Sequence, residues 1–177
     1  MATPCPIAYI GADIRAKAAW LYGEASSRAC LKAVFTDGTF AMVCYRCMQA
    51  CQQAGLVPLA MIFNKLNAVA GQCIIGRGAR FGERFVLIHS QGVVINSSVS
   101  GGDDIMLEHQ VTIGAERGAS PRLGHRVFVG AGAKIVGAVT IGDDAKIGAN
   151  AVVVHDVPAG VTAVGIPAKS LSEREES

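Results

Sequence analysis

The spacing of hydrophobic residues changes partway along this chain. From about Ile14 to Ala70 apolar residues recur at intervals of three and four, as in Ala29, Val34, Met42, Tyr45 and Met48, the spacing of an amphipathic helix. Turn signals at Asp37-Gly38 and Gly55-Leu56-Val57-Pro58 divide this stretch. The pattern predicts three helices, near 12–22, 27–53 with a break around 37–38, and 58–70. From Ile75 the period becomes six. An apolar residue returns at Phe81, Leu87, Val93, Val99, Ile105, Val111, Leu123, Val129, Ile135, Ile141, Ile147 and Val153, and only the beat at Arg117 is missed. Glycine follows the apolar residue at Gly76, Gly82, Gly124, Gly130, Gly142 and Gly148.

A period of six fits neither a helix nor a hairpin sheet. It fits a solenoid of hexapeptide repeats, in which three short sides make a coil of about 18 residues and the inward side chains stack into a column. The fold expected is mainly β, a left-handed parallel β-helix preceded by a small α-helical region. Residues 1–72 form the helical region, 73–168 the β-helix and 169–177 a tail. The stretch 114–122 replaces one side of a coil and restores the count beyond it, so it is expected to leave the prism as an extruded loop, a common carrier of binding groups.

Composition narrows the function. The 177 residues carry a formal charge of +2 with charged residues spread along the chain, which excludes the basic stripe of a nucleic-acid binder and points to a small-molecule partner. Residues 1–14 lack the charged and apolar regions of a signal peptide, and the apolar run Leu56 to Gly71 is broken by Asn64, Lys65 and Asn67. A cytoplasmic protein without an integral membrane segment is expected. Cys44, Cys47 and Cys51 share a helical spacing but lack a fourth ligand at zinc-site spacing, and a reducing compartment disfavours disulfides. No metal site is expected.

The segment Ile88-His89-Ser90-Gln91-Gly92-Val93-Val94-Ile95 resembles the His-x-x-Gly-hydrophobic stretch of the serine acetyltransferase family. The resemblance continues through Val111-Thr112-Ile113-Gly114, Gly130-Ala131-Gly132-Ala133-Lys134-Ile135 and Val164-Gly165-Ile166-Pro167-Ala168-Lys169. It implies an acetyl-CoA-dependent O-acetyltransferase that works as a homotrimer or dimer of trimers, with active sites between subunits. His89 is then the general base, and Gly114, Ala131, Gly132, Ala133, Ala149 and Lys169 meet CoA. Three departures bear on the acceptor. Ser120 stands before Pro121-Arg122-Leu123 where the family has a second histidine, the extruded loop is short, and Ile74 and Ile88 replace two acidic residues. With Glu108-His109-Gln110-Val111 in the next coil, the pattern looks like the short forms associated with polysaccharide biosynthesis. The acceptor is therefore serine or a sugar hydroxyl.

An alcohol attacking a thioester needs a base near neutral pKa, and histidine suits that task. Glycine turns can offer a backbone N–H to the oxyanion. Six-residue counting puts Leu107 one turn after His89, with His109 two residues further along. His109 is a second catalytic candidate, approaching a neighbouring subunit's His89 or holding substrate, or else a turn residue in a trimer interface. Glu24 is a candidate for the missing carboxylate, Glu108 is weaker, and His125 and His155 read as surface residues. Two other classes are weighed: a metal-dependent β-helix enzyme, which needs a compact histidine spacing not found here, and a non-catalytic scaffold. A cysteine-synthase partner is not expected, because Ser172 to Ser177 is charged and ends in serine.

Overall fold

The first helices owe their ends to local chemistry. In a computed structural model describing residues 5–171, a 3-10 turn at Pro6–Tyr9 leads into α1 (Ile10–Tyr22), which stops at Gly23, whose φ of 72° lets its N–H reach Ala19 O. Helix α2 (Ser27–Val34) opens on Ser26, whose Oγ accepts the Ala29 N–H at 3.2 Å. It closes where the hydroxyls of Thr36 and Thr39 donate to Ala33 O at 2.7 and 2.6 Å. Helix α3 (Thr39–Gln53) restarts after Gly38, at φ 80°, and α4 (Val57–Val69) carries Pro58 in its first turn, where a missing N–H costs nothing. The predicted break in the 27–53 stretch is thus a full interruption between two helices. The tail residues Ser172 to Ser177, on which the expectation about a cysteine-synthase partner rests, lie outside the described residues.

The rest of the chain winds into coils of three short strands. The first coil holds β1 (Ile74–Ile75), β2 (Arg80–Phe81) and β3 (Val86–Leu87); the second holds β4 (Val94–Ile95), β5 (Ser100–Gly101) and β6 (Met106–Leu107). The third holds β7 (Thr112–Gly114), β8 (Arg122–Leu123) and β9 (Phe128–Val129); the fourth holds β10 (Lys134–Val136), β11 (Thr140–Ile141) and β12 (Lys146–Ile147). Strands β13 (Val152–Val153), β14 (Thr162–Val164) and β15 (Lys169–Ser170) finish the domain. Like sides stack as three sheets, β1-β4-β7-β10-β13, β2-β5-β8-β11 and β3-β6-β9-β12-β14-β15, all parallel except the β14–β15 pair. This is the left-handed parallel β-helix that the repeat predicts. Between β7 and β8 the chain leaves the prism in a tight excursion closed by paired backbone bonds of Glu116 and Ala119 at 2.9 Å.

The register corrects the six-residue count. Ile75 pairs with Ile95 and Leu87 with Leu107, so two extra residues lie between Leu87 and Ile95. The inward strand residues of the second coil are Ile95, Gly101 and Leu107, and Val93, Val99 and Ile105 lie two residues before them. Val93, Val99 and Ile105 are as buried as Ile95 and Leu107, so the slip leaves no trace in the hydrophobic pattern. The excursion before Leu123 adds four more residues, which completes one whole period and returns the count to phase. Consequently Leu107 lies one coil after Leu87, not after His89, and His109 follows His89 directly.

A buried polar cluster docks the helices on the first coil. Arg46 of α3 donates to Asp13 of α1 at 2.7 and 3.1 Å, to Phe81 O at 2.9 Å, to Gly82 O at 2.5 Å and to Gln49 Oε1 at 3.0 Å. Asp13 also accepts the Phe85 N–H at 3.0 Å. Beside them the Phe81 and Phe85 rings stack at 4.4 Å and Tyr45 packs against both. Glycine at 101 makes room for this stack, since a Cβ there would lie 2.6 Å from the Phe81 ring. Among the described residues no helix is long and apolar enough to cross a membrane, and no group of three or more His, Cys, Asp or Glu is placed to hold a metal. Burial pushes the Cys73 thiol up to about 12, which makes it a packing group and not a nucleophile.

Candidate active site

The two residues inserted after Leu87 widen one turn of the first coil, and His89 stands on that turn with its side chain 49% exposed. An open pocket of about 550 Å³ lies in front of it, between this edge of the prism and the α2–α3 turn. Asp37 comes from that turn: its Oδ2 is 3.5 Å from His89 Nδ1, an electrostatic contact longer than a good hydrogen bond. One coil further His109 lines the same pocket, its ring 6.0 Å from that of His89 and nearly perpendicular to it. Glu108 Oε2 lies 3.5 Å from His109 Nδ1, so each imidazole has a carboxylate on the same nitrogen. Phe35 and Phe40 form an exposed apolar lip.

The carboxylate beside His89 is the residue that sequence reasoning missed. Glu24, the candidate, accepts instead from Ser26 Oγ at 2.9 Å and lines no part of the pocket. Asp37 is visible in the sequence only as half of an Asp-Gly turn signal. Its turn is drawn onto the first coil by Lys17 of α1, whose fully buried amine donates to Asp37 O and, at 2.9 Å, to Leu87 O.

Burial lowers the Lys17 pKa from the ordinary 10.5 to about 8, opposed by the charge of Asp37. Between these values the unfolded chain keeps a proton that the folded one sheds, so the Lys17 contribution to stability rises with pH through that window. Urea melts at pH 7.5 and 9.5 should show the wild type gaining on the order of 2 kcal/mol relative to Lys17→Met. An equal change in both proteins would contradict the shift.

Of the other residues singled out, Ala131 and Ala149 continue the edge that carries His89 and His109, because Leu107 pairs with Val129 and Val129 with Ile147. Gly132 lies beside them with φ 72°, its N–H bonded to His109 O at 2.9 Å. Gly114 ends β7 opposite Val136, and Lys169 is an exposed residue of β15. Ala133 has its side chain fully buried, its N–H bonded to Gly130 O and its carbonyl taking the Thr112 N–H. None of the six lines the pocket itself. His125 sits on a different corner and accepts the Asp103 N–H on Nδ1 at 3.0 Å, and His155 is exposed.

Residues 120–155 match the family described as Bacterial transferase hexapeptide (six repeats). With a histidine on a turn of such a β-helix and a carboxylate facing it from the α2–α3 turn, the fold and site define an acyltransferase of the hexapeptide-repeat class. The chain is 41% identical over 140 residues to the serine acetyltransferase of Helicobacter pylori (strain ATCC 700392 / 26695), covering 77% of this chain and 82% of that one. It therefore belongs to the serine acetyltransferase family. Among solved structures, serine acetyltransferase from Neisseria gonorrhoeae superposes with a TM-score of 0.83 at 31% identity, covering 93% of this chain and 66% of that longer one. A serine acetyltransferase solved in complex with CoA superposes with a TM-score of 0.85 at 29% identity, covering 96% and 70% of the two chains.

Proposed function

We propose that this chain transfers the acetyl group of acetyl-CoA to the hydroxyl of serine, with His89 as general base. The observation that carries this reading is the His89 imidazole, backed by Asp37 and open to a pocket on the β-helix edge. His89 takes the hydroxyl proton as the serine oxygen attacks the thioester carbonyl. The tetrahedral intermediate then collapses, the carbon–sulfur bond breaks, and the imidazolium returns the proton to the departing CoA thiolate. Asp37 favours the imidazolium formed in between. His109, on the same wall, holds the acceptor.

The line of turns beyond His109 gives CoA a path, with Ala131, Gly132 and Ala149 along it and Gly114 and Lys169 as further contacts. Among the described residues no lysine or arginine lines the pocket, so the serine carboxylate is met by His109 or by a neighbouring copy. A homotrimer with sites between its subunits supplies such a copy. The same reading puts the enzyme in the cytoplasm. The relatives favour serine over a polysaccharide hydroxyl.

Release of free CoA from acetyl-CoA, followed with L-serine and with a panel of sugars, tests the reading. Turnover with serine supports it; turnover only with a sugar would transfer the enzyme to polysaccharide modification, and no turnover with any acceptor would favour a scaffold. Asp37→Asn should lower kcat about tenfold with little change in the KM for acetyl-CoA, because the carboxylate contacts the imidazole and is 83% exposed. An unchanged kcat would remove Asp37 from the mechanism.

A further inference from the structure

Lys17 differs from the other buried cation, Arg46, in what it bonds. Arg46 is matched by a carboxylate, whereas the Lys17 amine donates to two main-chain carbonyls, those of Asp37 and Leu87. The side chain is fully buried on a helix that supplies no atom to the pocket lining. A buried amine is costly, and nothing in the acyl transfer consumes it. Its position relative to the reacting groups gives it a role. One acceptor belongs to the residue whose carboxylate faces His89, and the other ends strand β3, two residues before His89.

Glycine at 38 completes the arrangement. A Cβ there would lie 2.4 Å from Leu87 O and 3.1 Å from Lys17 Nζ, so only a residue without one lets the α2–α3 turn press this closely on the strand end. Three segments distant in sequence, α1, the turn before α3 and the end of β3, meet at one amino group. Asp37 is itself on an exposed turn, and its side chain, 3.5 Å from the His89 imidazole, is 83% exposed.

We propose that Lys17 is a positioning residue for acyl transfer: by bonding the carbonyls of Asp37 and Leu87 at once, it holds the Asp37 carboxylate beside the His89 imidazole. It touches neither substrate and acts through Asp37. The proposal rests on His89 being the base of the reaction proposed above.

A double-mutant cycle on the full chain separates this role from a merely structural one. Lys17→Met should lower kcat about tenfold with KM values for acetyl-CoA and serine within about twofold of wild type. The same substitution in an Asp37→Asn background should change kcat by less than about twofold, because the group it positions is already lost. In parallel, the NMR chemical shift of the His89 ring proton at one fixed pH should move in Lys17→Met toward its position in Asp37→Asn. Folded Lys17→Met with wild-type kcat and an unmoved His89 chemical shift, or equal losses in both backgrounds, would overturn the proposal. Should Lys17→Met not fold, Lys17→Gln enters the same cycle with the same two readings. If the wild type does not acetylate serine, the acceptor assignment fails while the His89 chemical shift still decides the role of Lys17.

Discussion

Replacing His89 with alanine is expected to lower kcat for acetyl transfer by about 10²–10⁴-fold, the usual worth of a positioned general base. Stability should barely change. The side chain is half exposed on a widened turn and contributes nothing to the inward column of Ile75, Leu87, Ile95 and Leu107. A thermal melt within about 2 °C of wild type is therefore expected, since surface substitutions away from packed features are nearly neutral. His155→Ala, exposed and outside the pocket, is the control and should leave kcat as it is. Retained turnover in His89→Ala would move the base elsewhere, with His109 the next imidazole to replace.

The second large effect is on folding. Arg46→Met should destabilise the chain by about 3–5 kcal/mol, because it leaves Asp13 as a buried carboxylate whose counter-charge is gone. The guanidinium satisfies the carbonyls of Phe81 and Gly82 and a glutamine oxygen as well, and each of these would lose a donor. For a domain of this size such a loss corresponds to a drop of about 10 °C in melting temperature. Removing the charge of Asp13 together with Arg46 should recover part of it, because the unpaired carboxylate goes too. A melt unchanged by Arg46→Met would show that the helices dock on the first coil by apolar packing alone.

The two halves of the site differ in how far the sequence discloses them. The prism is legible because each inward aliphatic obeys a local rule, and His89 is legible because it stands in a motif of contiguous residues. The phase of the repeat is not. Val93 and Ile95 are both aliphatic and both buried, so a two-residue insertion between Leu87 and Ile95 changes no hydrophobic beat. That slip hid the direct stacking of His109 after His89, which only the Leu87–Leu107 pairing discloses. Asp37 was hidden for a different reason. It reaches His89 across some fifty residues of chain, through a contact made by Lys17 and permitted by Gly38, and no periodicity records a tertiary approach of that kind. The extent of the helices was nearly right because Ser26, Gly23 and Pro58 announce their ends in residue type.

The edge that runs from His89 through His109 and Ala131 to Ala149 also has a metric. Successive strands of a sheet lie about 4.8 Å apart, so these four turns are graduations spanning about 14 Å, each offering main-chain groups at the same height interval. On the proposed path, an extended thioester arm laid against that edge meets these intervals one after another on its way to the histidine. The length of that edge is a count of windings, a quantity that point substitutions leave intact and that the gain or loss of a complete winding would change in one step.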